Sequence, residues 1–181
     1  APQPYFAEHG WVAGPGETVK VPGPNTPWEY SGPSTGADKL TPDKPLRLVW
    51  DNGAGLVFRR TIAVDADYMF TITDAVENKS AKNVVLLPYA RIYRYGTPTI
   101  EGFWVQHEGM IGFLGETKLQ KITYSETVKP GGNKKFDGTV GGWIGFTDKY
   151  WAAALIPDQK TPYLANMVGR EKTAASREYF Q

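Results

Sequence analysis

Leu56-Val57-Phe58-Arg59-Arg60-Thr61-Ile62-Ala63-Val64, then Asp65-Ala66-Asp67, then Tyr68-Met69-Phe70-Thr71-Ile72-Thr73-Asp74-Ala75-Val76: this stretch decides the fold class. Successive side chains of a strand point to opposite faces. The first run therefore places Leu56, Phe58, Ile62 and Val64 on one face and Arg59 and Thr61 on the other. Tyr68, Phe70, Ile72 and Val76 repeat the alternation, with Thr71 and Thr73 opposite. Asp65-Ala66-Asp67 reads as the tight connection of a hairpin. A polar turn follows at residues 77–82, and residues 83–95 form a third long strand. Further strands are expected over residues 102–106, 110–114, 118–125, 139–147 and 150–156, with Pro130-Gly131-Gly132-Asn133 as a breaker. Short turns with no long helical pattern between strands indicate an all-β, antiparallel sandwich with little helix.

The composition agrees. Glycine (20) and proline (14) together make 34 of 181 residues, above the roughly 12% of average usage. Residues 1–45 hold much of the proline and read as a loop-like arm, with apolar pieces at residues 5–12 and 18–21. Proline excludes long helices there, while Tyr5, Phe6, Trp11 and Trp28 argue that the arm packs on a core. Residues 171–179 are rich in alanine and charge and suit a short helix, a frayed end or a foreign appended tail. Absent cysteine rules out disulfides, thiol nucleophiles and cysteine-ligated metals, and two histidines make a multi-histidine metal site improbable. A formal charge of +1 gives no basic excess toward nucleic acid. No apolar run approaches the ~18–20 residues of a membrane helix, and Ala1-Pro2-Gln3-Pro4 does not resemble a signal peptide. The chain is expected to be either cytosolic or a piece of a larger protein.

Candidate chemistry is sparse. His107 and Glu108, with Glu101 nearby, could serve as acid and base. Adjacent residues of a strand face opposite ways, however, so two ordinary polar residues at a strand end are the stronger reading. Gly109, Gly112 and Gly115 flank apolar residues and suit a close backbone approach better than a phosphate cradle. Asp65/Asp67 and Asp43/Asp51 suit turns. Asn78-Lys79-Ser80 matches a glycosylation sequon but reads as a hairpin turn. Arg91-Ile92-Tyr93-Arg94-Tyr95 interleaves basic and aromatic residues, placing Arg91, Tyr93 and Tyr95 on one face and Ile92 and Arg94 on the other. Such a row can grip a protein partner, or pack as a cross-strand aromatic and cation–π array. Trp104, Trp143 and Trp151 are expected in the core.

Several stretches resemble one family. They are Pro4-Tyr5-Phe6-Ala7-Glu8 and Gly10-Trp11-Val12, Leu48-Val49-Trp50-Asp51-Asn52-Gly53, and Gly55 through Asp65. Asp67-Tyr68-Met69-Phe70, Glu101-Gly102-Phe103 and His107-Glu108-Gly109 belong with them. So do Gly141-Gly142-Trp143-Ile144-Gly145 and Thr147-Asp148-Lys149-Tyr150-Trp151-Ala152-Ala153-Ala154-Leu155-Ile156-Pro157, the most specific pieces. Together they resemble the large first periplasmic domain of the YidC family of bacterial membrane protein insertases, in its alphaproteobacterial form.

The resemblance covers residues 1–167 and leaves 168–181 unaligned. It implies a β-super-sandwich like that of galactose mutarotases, lacking its first strands, at the periplasmic face of the inner membrane. A membrane helix would precede the domain and a five-helix insertase core would follow it. The resemblance also implies a non-enzymatic domain, without cofactor or metal, that is not itself the insertion site. Its implied partners are SecD/SecF of the Sec translocon and nascent membrane-protein clients. The partner region maps to residues 78–121, where Tyr89, Arg91, Tyr93 and Trp104 are the preferred surface residues. A carbohydrate-binding or mutarotase-like domain, with His107 and Glu108 or Glu101 as acid and base, is the alternative.

Overall fold

A computed structural model of the chain describes residues 4–32, 39–98 and 107–181. Its strands are β1 (Tyr5–Ala13), β2 (Glu29–Tyr30), β3 (Leu46–Asp51), β4 (Leu56–Val64), β5 (Phe70–Asn78), β6 (Leu86–Tyr95) and β7 (Gly109–Phe113). Then follow β8 (Leu119–Thr123), β9 (Lys134–Thr139), β10 (Trp143–Asp148), β11 (Trp151–Leu155), β12 (Tyr163–Met167), β13 (Gly169–Arg170) and β14 (Tyr179–Phe180). Strands take 51% of the described residues and helix 4%, so the all-β antiparallel class is what the structure shows. The contacts divide the chain into two compact units, Gly10–Tyr89 and Ala1–His9 with Ala90–Gln181. The chain passes from one unit to the other inside β1 and returns inside β6.

In the Gly10–Tyr89 unit the hairpin pairs in unbroken register from Leu56↔Asn78 to Val64↔Phe70, within the order β2-β3-β4-β5. The second strand starts at Phe70, two residues later than the alternation suggests. Asp65 holds the turn, its Oδ1 accepting from the backbone N–H of Asp67 and of Met69, both at 2.9 Å. Tyr68, read as a strand residue, sits at the tip with φ 62° and is 82% exposed. Trp11, Trp50, Leu56 and Phe58 form the core of this unit.

The tandem arginines of β4 divide as alternation demands. Arg59 faces water and pairs with Glu77. Arg60 lies on the inner face with its guanidinium 5.3 Å from the Trp11 ring and 5.5 Å from the Trp28 ring. Asp74 stands opposite it in the register and receives both arms of the fork, at 2.7 and 2.8 Å. A planar cation that pairs bidentately and stacks on two rings can occupy a place that would exclude lysine. Through Trp28 the same cluster ties the proline-rich segment to the sheet.

The other unit contains three sheet arrangements: β1-β6-β14-β13, β11-β10-β7-β8 and β12-β9. Its core gathers Ile92, Met110, Leu114, Ile122, Tyr124, Phe146, Ala165, Met167 and Phe180. Here several sequence expectations are corrected. Residues 5–12, read as a piece of a loop-like arm, belong to a nine-residue strand. The strand expected over 118–125 stops at Thr123. There a capping box with Glu126 opens the four-residue helix α1 (Tyr124–Thr127), since the reciprocal bonds satisfy the backbone in a helical turn.

The strand expected over 139–147 is two strands, broken at Gly141 and Gly142, which have φ of 68° and 89°. A Cβ on Gly142 would lie 1.8 Å from the Phe113 carbonyl oxygen, and Gln159 brackets the Gly142 peptide from both sides. The Gly-Gly-Trp motif is thus a backbone requirement. No helix forms over residues 171–179. The chain bends there, then runs back as β14 between β6 and β13. Pairing with an existing strand edge and burying Phe180 outweighs the weak helical propensity of a short exposed segment. The strand expected over 102–106 lies outside the described residues.

Candidate partner-binding face

The sequence predicts that Arg91, Tyr93 and Tyr95 share a face of β6, and they do. Ile92 is buried and Arg94 turns inward, while the other three are partly exposed. The neighbouring strands extend the row by the same alternation. On β1, Tyr5 packs inward against the core and Phe6 outward; on β14, Phe180 is fully buried and Tyr179 lies outward.

The outward rings form a ladder. Phe6 and Tyr93 stack with centroids 5.4 Å apart at 12°, and Tyr93 and Tyr179 stack at 4.9 Å and 20°. Tyr95, opposite Tyr179 in the register, leans on Tyr93 at 4.9 Å. Such pairs add about 0.5–1.5 kcal/mol each beyond area burial, so the platform is prearranged. Arg91 closes one end, its guanidinium 5.5 Å from the Tyr93 ring and bonded to Glu8 Oε2 at 2.9 Å and to Gln181 Oε1 at 3.3 Å. Its side chain remains 42% exposed. The Tyr93 phenol is pushed up to about 12, chiefly by burial and then by Tyr95 and Tyr179, with Arg91 pulling the other way. It stays protonated as a donor through the physiological range.

The chemistry of this face follows. Arg91 is already paired with Glu8, so the row presents planar π surfaces and a fixed guanidinium edge, without a strong field. Pre-ordering of these side chains reduces the entropy lost on docking. The face suits stacking and hydrogen bonding with a polypeptide.

Beneath it, Arg94 is enclosed. Its guanidinium lies 5.7, 5.3 and 5.9 Å from the rings of Tyr5, Tyr124 and Trp151 and pairs with Asp148, which also accepts from the Tyr124 hydroxyl at 2.8 Å. Burial drives the phenols of Tyr5 and Tyr124 well above the usual tyrosine value, Asp148 adds to the rise, and Arg94 opposes it. The folded state therefore holds these protons more tightly than the unfolded chain does. Stability from this source is complete below the ordinary tyrosine range near pH 10 and is lost as pH rises above it. Denaturant midpoints measured from about pH 9 to about pH 11.5 should fall, and Tyr124→Phe should flatten the fall. An equal slope in parent and variant would contradict this reading.

The other residues singled out by sequence fall elsewhere. Tyr89 belongs to the Gly10–Tyr89 unit, where its ring lies against Gly10. Trp104 and Glu101 lie outside the described residues. Trp151, expected in the core, is 44% exposed, and Trp143 is partly buried; among the described residues the buried tryptophans are Trp11 and Trp50. His107 Nε2 lies 3.0 Å from the Met110 carbonyl oxygen, and Glu108 is buried immediately before β7. The sequence reading missed Phe6, Glu8, Tyr179 and Gln181. The doublets Tyr5-Phe6 and Tyr179-Phe180 were the available signal, since adjacent aromatics in a strand send one ring inward and one outward.

Comparison with known proteins places this architecture. The family model for the YidC periplasmic domain matches residues 1–180, tail included. A membrane protein insertase YidC from Methylobacterium nodulans is 49% identical over 181 aligned residues, covering 94% of this chain and 28% of that protein. Those from Nitrobacter hamburgensis and Granulibacter bethesdensis are each 48% identical, covering 93% and 88% of this chain and 27% of each protein. The chain thus spans under a third of the length of these curated relatives. Among the described residues no helix is long and apolar enough to cross a membrane. The match over 180 of 181 residues and the close relatives carry one conclusion: this chain belongs to the YidC periplasmic domain family and lies on the periplasmic side of the inner membrane.

Proposed function

We propose that this domain is a non-enzymatic docking module, holding a membrane protein insertase against the SecD/SecF part of the Sec translocon while client proteins are inserted and folded. The observation that carries the reading is the ladder of Phe6, Tyr93, Tyr95 and Tyr179 with Arg91 at its end. Aromatic rings and arginine supply most hot spots of protein interfaces, and here they stand together on one sheet face. The non-enzymatic part of the reading is supported by the family and by His107 and Glu108. One is engaged with a backbone carbonyl and the other is buried.

Arg91→Ala with Tyr93→Ala, introduced into the full-length insertase, should lower co-purification of SecF at least tenfold, as loss of about 1.4 kcal/mol or more at a hot spot requires. Circular dichroism of the same variant should show the β signature retained. Retained SecF with a folded domain would exclude this face as the contact.

A further inference from the structure

Edge strands expose a row of unpaired backbone groups, and proteins guard them with charge, proline, bulges or cover. In this chain β1, β2, β5, β8, β9 and β13 carry charge, among them Glu8, Glu29, Asp74, Lys121, Lys134 and Arg170. β12 carries none, but its register with β9 shifts between Tyr163 and Ala165. β11 has neither guard. Residues 150–156 read Tyr-Trp-Ala-Ala-Ala-Leu-Ile, without charge or proline. The pairing with β10 is continuous from Ile144↔Leu155 to Asp148↔Trp151. β11 ends the order β11-β10-β7-β8, so among the described residues β10 is its sole strand neighbour. Ala152, Ala154 and Ile156 are exposed.

Two properties define what fits. Outward N–H and C=O groups in the plane of a sheet are met by another extended backbone about 4.8 Å away. The small alanines leave room beside that backbone for larger side chains. A charged side chain laid along the row would lose hydration and meet no counter-charge. We propose that β11 is a strand-addition edge that accepts an extended, uncharged, apolar stretch of another polypeptide as the fifth strand of this sheet. Extended and apolar is also the chemistry of a membrane segment before insertion. That choice of source over a second copy of this domain rests on the insertase reading, whereas the edge itself does not depend on the ladder on β6.

The test uses this 181-residue chain and an end-blocked Thr-Val repeat peptide, with an analogue N-methylated at every residue so that neither of its edges can donate a backbone hydrogen bond. Peptide at saturation should slow amide exchange at alternate positions of residues 151–156 at least tenfold, and the methylated analogue should fail to do so. Ala152→Lys with Ala154→Lys should weaken binding at least tenfold. Arg91→Ala with Tyr93→Ala should bind as the parent does, whatever happens to SecF. Unchanged exchange over 151–156, equal binding of the methylated analogue, or loss of binding in the Arg91/Tyr93 variant would overturn the proposal. So would protection of 151–156 by self-association without peptide, which would assign the edge to a second copy.

Discussion

Phe180→Ala is expected to destabilise the Ala90–Gln181 unit by about 3–5 kcal/mol, the usual loss for a fully buried phenylalanine, although the residue is next to last in the chain. Its ring has no exposure and lies 4.6 Å from that of Tyr124. Its backbone is equally fixed: Phe180 faces Arg94 of β6 on one side and Gly169 of β13 on the other. Gln181 and Val168 exchange both backbone bonds at 2.8 Å. Gly169 packs against the same ring, an added Cβ there coming within 3.1 Å of it. With neighbours held this way, the cavity cannot collapse, which places the loss at the upper part of the range. Urea unfolding would measure it, with Tyr179→Ala as comparison. That substitution removes an outward ring and should cost nearer the ~1 kcal/mol of an aromatic pair. A Phe180 loss below that of Tyr179 would show that the strand frays and that the burial is not sustained in solution.

The second large effect is expected at Asp148. Its side chain is 6% exposed and that of its partner Arg94 13%, and it serves both the guanidinium and the Tyr124 hydroxyl. Asp148→Ala leaves a cation enclosed by three rings with no counter-charge, a situation that costs about 3–5 kcal/mol. The pair itself is worth far less than that, because desolvation of both charges offsets their attraction. Arg94→Met combined with Asp148→Leu should therefore recover most of the loss that Asp148→Ala alone produces. At the exposed Arg59–Glu77 pair, about half open to water on both sides, Glu77→Ala should shift stability by no more than about 0.5 kcal/mol. Thermal unfolding of the three variants beside the parent would check the order. Equal effects at the two pairs would refute the account of Arg94 as an enclosed charge.

Much of the fold was legible because strand alternation is a local property. Leu56 through Val64 show it within nine residues, and β4 forms with those bounds. The resemblance to the YidC family rested on local motifs as well. What escaped depends on distant partners. Arg60 looks like any surface arginine until Asp74, Trp11 and Trp28 are brought beside it. The break at Gly141-Gly142 follows from the proximity of the Phe113 carbonyl, 29 positions earlier in the chain. The tail suited a short helix, a frayed end or a foreign appended tail because its own residues favour a helix only weakly, whereas the edge of β6 that recruits it is invisible locally. For the same reason half of the aromatic ladder was legible on β6 and half was not, since Phe6 and Tyr179 join it only by pairing. Trp104 and Tyr89 entered the sequence reading through their position in the family region, with no alternation of their own to place them.

The place of β14 between β6 and β13 has a consequence for how the domain comes into being. A polypeptide emerges from its N-terminus at about 5–20 residues per second. β6 is complete at Tyr95, but the strand that lies beside it arrives at Tyr179. At that pace β6 waits for its neighbour for on the order of ten seconds. Throughout that interval the pocket for Phe180 is unfilled and one edge of β6 is open. Long-range pairing of this kind slows folding and exposes intermediates to aggregation. The unit built from Ala90–Gln181 is thus committed to folding only after Phe180 has emerged, and a chain stalled before Phe180 would present the holding machinery of the cell with an open sheet.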